Sequence, residues 1–111
     1  MSHLLSGLRA WVWQRGTAIY IGLFLLYLFW RLLVEPPASH AAWRGWLEKT
    51  PVWLATVLFF GALLLHAWIG VRDVVIDYVK PAGLRLLVLT LVLLFLLANG
   101  LWLASLLLGL T

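Results

Sequence analysis

The chain has 111 residues, of which 65% are hydrophobic and only 11% charged, and its mean hydropathy of +1.05 lies far outside the soluble globular range. So few charges cannot cover the surface of a small soluble domain, and lipid must solvate the apolar faces. The formal charge of +4 comes from basic residues placed singly near the ends of apolar runs, which suits anionic membrane lipid and excludes a stripe that would follow nucleic acid.

A helix needs about 20 predominantly apolar residues to cross the hydrocarbon core, and three stretches meet that requirement, predicting an all-α integral membrane protein with three transmembrane helices in a single membrane domain, 1–111. The first span covers 17–34, bounded by Arg15 and by Glu35 and Pro36, with Arg31 near its end where the stem can lie along the helix and the head reach the interface. Ser39-His40-Ala41 before Ala42 offers small residues near a possible signal-peptide cleavage point, but the apolar run is long for a signal core, so the segment is expected to remain as a span.

The loop that follows is rich in tryptophan. Trp30, Trp43, Trp46 and Trp53 gather around it, as Trp11 and Trp13 gather before the first span, and indole rings favour the headgroup region. Ala42, Trp43, Trp46 and Leu47 have the spacing of a short helix lying in the interface; a disordered loop with anchoring tryptophans accounts for the same residues.

The second span covers 51–75, starting at Pro51, a residue suited to a first helical turn, and staying apolar through Val71. The third covers 84–109, where Thr90, Asn99 and Ser105 are the markedly polar members and Asn99 is free to hydrogen-bond a neighbouring helix. Three spans place the N-terminus on the same side as the second loop. That side carries Arg9, Arg15, Arg72, Lys80 and Arg85 against Arg31, Arg44 and Lys49 opposite, which predicts a cytoplasmic N-terminus and a periplasmic C-terminus.

Ionisable groups inside a span are costly and mark function by default. Here they concentrate from His66 to Pro81. Ala62, His66, Gly70, Asp73 and Asp77 share one side of a helix, with a small residue one turn before and one turn after the histidine. Such a clearing admits a large flat ring, with His66 aimed at its centre as axial ligation of haem requires. The same small residues serve equally to let helices pack closely, with His66 hydrogen-bonded to a neighbour. His3 and His40 lie far from this depth.

Asp77 and Tyr78 fall about 17 Å further along a continuous helix, at 1.5 Å per residue. A carboxylate and a phenol at the membrane boundary can manage the protons of a quinone carbonyl; they also describe an interfacial anchor before a helix stop at Pro81. Arg15 is either a topology charge or a partner for a ligand carboxylate. The absence of cysteine excludes disulfides, thiolate metal sites and an iron–sulfur cluster held by this chain.

The run His66-Ala67-Trp68-Ile69-Gly70, followed by Asp77-Tyr78-Val79-Lys80-Pro81, resembles the signature of the smaller, D-type hydrophobic anchor of bacterial succinate dehydrogenase. Gln14-Arg15-Gly16-Thr17-Ala18-Ile19 resembles the start of that family's first helix. The resemblance implies a four-chain complex of the inner membrane, in which a flavoprotein holding FAD oxidises succinate and an iron–sulfur subunit passes electrons to ubiquinone. This chain and a sister cytochrome b anchor would tether those parts to the cytoplasmic face.

By the same resemblance His66 ligates the iron of haem b, with the second axial histidine supplied by the sister anchor. Tyr78 hydrogen-bonds ubiquinone, Asp77 supports the quinone site and Arg15 lies near the haem propionates. Arg72 and Asp73 fall outside the signature and receive no ligand role. No succinate chemistry is expected of this chain itself, which has neither a flavin fold nor iron–sulfur ligands. Fumarate reductase anchors share the architecture, and a cofactor-free structural membrane subunit is a further alternative. A pore or transporter would call for internal repeats or broken polar helices, and neither is visible.

Overall fold

The computed structural model describes residues 2–110, with side chains from residue 7 onward. Four helices follow one another: α1 (Ser2–Val34), α2 (His40–Glu48), α3 (Thr50–Tyr78) and α4 (Ala82–Leu108). Three of them are long and apolar enough to cross a membrane: 7–34, Thr50–Tyr78 and Ala82–Leu108. α3 is the centre of the arrangement, packing against α1, α2 and α4, whereas α1 and α4 make no close backbone approach to one another.

α1 begins well before the expected start of the first span. Arg9 and Arg15 limit how far the segment sinks into lipid, but nothing between Ser2 and Thr17 breaks a helix: there is no proline, and leucine, alanine and arginine all favour helical backbone. The span of 17–34 is therefore the inner portion of a longer helix. α3 likewise runs on through Arg72, Asp73 and Asp77 and stops at Tyr78, because Pro81 biases the residue before it away from helical backbone. At about 1.5 Å per residue both helices outreach the roughly 30 Å hydrocarbon core, and the molecule is 52 Å long.

The segment after α1 is helical. Pro36 and Pro37 make the turn, and Ser39 caps α2 by accepting the Ala42 N–H at 3.1 Å. Trp46 is buried on the bundle side of α2, with its ring 6.5 Å from Tyr27 and 5.4 Å from Trp43. The Arg31 guanidinium lies 5.3 Å from the Trp46 ring while pairing with Glu35 at 2.9 Å. These contacts replace the disordered-loop alternative.

Lipid offers no hydrophobic drive between helices, so small residues and polar contacts must hold them. The Tyr20 hydroxyl donates to the Ala55 carbonyl at 2.6 Å, joining α1 to α3, and Phe24 stacks on Phe59 at 4.5 Å. Gly100 lets α4 close on α3, since a Cβ there would stand 3.2 Å from Leu64 Cδ1. At the end of α4, the Trp53 indole donates to the Leu107 carbonyl at 2.7 Å and Arg44 donates to the Gly109 carbonyl at 3.2 Å, adding donors at the carbonyl-rich end of the helix. Among the described residues Asn99 bridges to no neighbouring helix: it donates to the Phe95 carbonyl of its own helix at 2.8 Å. Thr90 and Ser105 also bond back to their own helix, and α4 has no buried residue.

Candidate functional site

His66 sits within α3, half-buried, with Nδ1 3.1 Å from Thr17 Oγ1 on α1. Thr17 is 7% exposed. Its hydroxyl also lies 2.6 Å from the Trp13 carbonyl and 3.1 Å from the Gln14 carbonyl, one turn back along α1. His66 Nε2 has no hydrogen-bond partner among the described residues.

One turn beyond the histidine, Gly70 meets Gln14: a Cβ there would stand 3.3 Å from the amide nitrogen. The small residue thus serves close packing of α1 on α3. Ala62, one turn before, lines an apolar cleft with Gly16, Thr17 and Tyr20. The clearing around His66 is therefore partly filled by α1. It also opens, because His66 lines a cavity of about 1070 Å³ that Thr17 does not reach.

The walls of that cavity bring together residues from two helices. Arg9, Gln14 and Arg15 come from α1, and Trp68, Arg72 and Asp73 join His66 from α3. Three guanidinium groups face one carboxylate, so the cavity favours an anionic guest. Arg72 Nη2 contacts Asp73 at 3.3 Å, leaving its Nε buried without a partner. Gln14 Oε1 is buried and unpartnered beside it. Buried polar atoms of this kind call for a bound group. Arg15 lies 5.6 Å from the Trp11 ring, a cation–π contact that orients the guanidinium.

The residues present fit a haem. One imidazole has a ring nitrogen to spare, cations stand ready for two carboxylates, and Ala10, Ala18, Leu65 and Ile69 add apolar wall. Among the described residues there is no group of three or more His, Cys, Asp or Glu placed to hold a metal ion. His40 opens α2 at the other end of the bundle and lines a separate cavity, and the His3 side chain lies outside the described residues.

Asp77 and Tyr78 do not line this cavity, whose wall on α3 reaches Asp73, one turn short of Asp77. α3 is continuous between them and His66, so they stand about 17 Å further along its axis. Tyr78 is 80% exposed and its hydroxyl engages no other described residue; Asp77 is exposed beside it. Behind them Arg85 ties the turn, its Nε donating to the Val79 carbonyl at 3.0 Å and its Nη2 to the Ile76 carbonyl at 3.3 Å. A cation on the open carbonyls of a helix end steadies the last turn that carries the tyrosine.

Arg15, His66, Asp77 and Tyr78 are legible as candidates in the sequence, whereas Arg9, Gln14 and Arg72 join the His66 cavity, Thr17 meets His66 and Arg85 ties the Tyr78 turn only in the fold. The signal in reach was the stretch from Gln14 to Thr17, singled out only as a helix start. Arg72 lies on the same helix as His66, and it is α1 that closes a common cavity over the two.

The chain matches, over residues 1–100, the family model described as succinate dehydrogenase/fumarate reductase transmembrane subunit. The chain belongs to that family. It is also 34% identical over 96 residues to the succinate dehydrogenase hydrophobic membrane anchor subunit of Coxiella burnetii (strain RSA 493 / Nine Mile phase I), a match that covers 86% of this chain and 84% of the relative. The family assignment takes in α1, α2 and α3 whole and most of α4, and so includes both sites described above.

Proposed function

We propose that this chain is the smaller membrane anchor of a succinate dehydrogenase, holding haem b jointly with a sister anchor and helping to bind ubiquinone. The observation that carries this reading is the cavity where His66, steadied by Thr17, meets Arg9, Arg15 and Arg72. His66 would hold the haem iron through Nε2, with a histidine of the sister anchor as the partner ligand. Arg15, with Arg9 and Arg72 around it, neutralises the propionates, and the buried Arg72 Nε–H gains an acceptor there. Haem b, when bound, would supply a one-electron redox centre.

Tyr78 and Asp77 form the second site. The exposed Tyr78 hydroxyl donates to a quinone carbonyl and stabilises the negative charge that builds on oxygen during reduction. Asp77 accepts from and orients the groups around it, on the side where the iron–sulfur and flavoprotein subunits dock. The family and the Coxiella relative's name support this assembly, and the distribution of Lys and Arg supports a cytoplasmic N-terminus in the inner membrane. FAD and iron–sulfur clusters belong to the partner subunits.

The test is a reduced-minus-oxidised absorbance spectrum of the complex purified through this chain, compared with His66→Leu. A b-type signal that shifts or vanishes in the variant is the expected result. An unchanged signal removes His66 from the ligand set, and no signal in either leaves a cofactor-free anchor.

A further inference from the structure

Three acceptor or donor atoms converge on one hydroxyl at Thr17: the Trp13 carbonyl at 2.6 Å, the Gln14 carbonyl at 3.1 Å and His66 Nδ1 at 3.1 Å. A threonine hydroxyl has a single proton and two lone pairs. The carbonyls can only accept, and an oxygen 2.6 Å from the Trp13 carbonyl repels it unless the proton lies between them. The proton of Thr17 is thereby committed to its own helix. Toward His66 the hydroxyl presents a lone pair, so Nδ1 must carry the hydrogen and donate it.

That assignment decides the other nitrogen. A neutral imidazole protonated at Nδ1 has its free lone pair at Nε2, the atom with no partner among the described residues. Thr17 is 7% exposed, so water has little access to compete for the contact. Its position is also fixed by the back-bond to Trp13, which holds the side chain in one rotamer. We propose that Thr17 is a positioning residue for His66: through the Trp13 carbonyl–Thr17–Nδ1 chain it holds the imidazole as the Nδ1–H tautomer, with the Nε2 lone pair available to a metal in the adjacent cavity. The proposal rests on the haem reading for its ligand but on the hydrogen-bond chain for its tautomer.

A hydrogen bond from the distal ring nitrogen fixes ring orientation and raises the basicity of the ligating one, and such outer contacts typically account for roughly 10–100-fold in metal affinity. Donation of that kind favours the ferric state. The test uses the whole purified complex with Thr17→Val, which keeps the branched shape and removes the hydroxyl, and Thr17→Ser, which keeps the hydroxyl. The expected result is that Thr17→Val retains haem roughly 10–100-fold less tightly, with an upward shift of the haem midpoint potential, and that Thr17→Ser restores both.

Thr17→Val with parental haem retention and potential overturns the proposal. So does a Thr17→Ser variant as defective as Thr17→Val, which would assign the effect to packing of the methyl group. The tautomer is read independently by nitrogen-15 NMR of histidine-labelled complex, with His66 identified by the signals lost in His66→Leu. An Nδ1–H signal with a hydrogen-bonded shift in the parent and Thr17→Ser that moves to the shift of an unbonded N–H in Thr17→Val supports the proposal, and the same Nδ1–H shift in all three overturns it. A parent complex without haem overturns the proposed function instead, and the NMR comparison then decides the role of Thr17 separately.

Discussion

Tyr20 and Tyr78 put the same side chain to opposite uses. Tyr20 lies between α1 and α3 and commits its hydroxyl to the Ala55 carbonyl at 2.6 Å, so it is part of the packing. Tyr78 ends α3 largely exposed, with a hydroxyl that no described residue engages. Tyr78→Phe is expected to slow quinone reduction by about tenfold or more, the loss of one hydrogen bond of roughly 1.5 kcal/mol to a charge-bearing oxygen, while the haem spectrum stays parental. Steady-state succinate:quinone turnover measured beside haem content checks this; parallel loss of both would show that the two sites are not separate. His66, Asp77 and Tyr78 stand out in the sequence because they share one stretch of one helix. Thr17 does not stand out: it is 49 residues from His66 and looks like an ordinary polar residue at the edge of a span.

At the scale of elements, helix existence and helix extent have different causes. Three apolar runs make three helices unavoidable, because lipid satisfies no backbone polar group. Where each helix ends depends instead on propensity and caps, which is why α1 continues outward past Arg15 and Arg9. α2 shows a third case, in which an N-cap at Ser39 and burial of Trp46 select a helix over an irregular loop. Between α3 and α4 the close approach rests on Gly100. Gly100→Ala is expected to be tolerated after a small shift of the flexible Leu64 end, whereas Gly100→Leu forces the helices apart at a cost of about 1–3 kcal/mol. Denaturation of the purified complex in mixed detergent, followed by the haem absorbance and by helix content, measures the difference. Equal stability of the two variants would place the α3–α4 contact elsewhere.

At the scale of the whole molecule, the exposed leucines of α1 and α4 present a surface suited to lipid, and the open cavity presents one imidazole, so the proposed function leaves a second ligand to come from a neighbouring chain. Orientation is testable because the chain has no native cysteine. Ala38→Cys, exposed in the first loop, is expected to react with a membrane-impermeant maleimide in intact spheroplasts, and Lys80→Cys only after permeabilisation. The reverse pattern would invert the topology and move the Tyr78 site away from the cytoplasmic subunits. By itself the sequence determines the class of protein, the number of spans and the local motif from His66 to Pro81, because hydropathy and helical spacing act within about 20 consecutive residues. Only the tertiary structure decides that Thr17 meets His66, that Gln14 fills the notch at Gly70 and that Arg9 and Arg72 share a cavity with Arg15, since which face of α1 turns toward α3 follows from packing of small residues and interhelical hydrogen bonds, to which the apolar pattern of a lipid-solvated helix is blind.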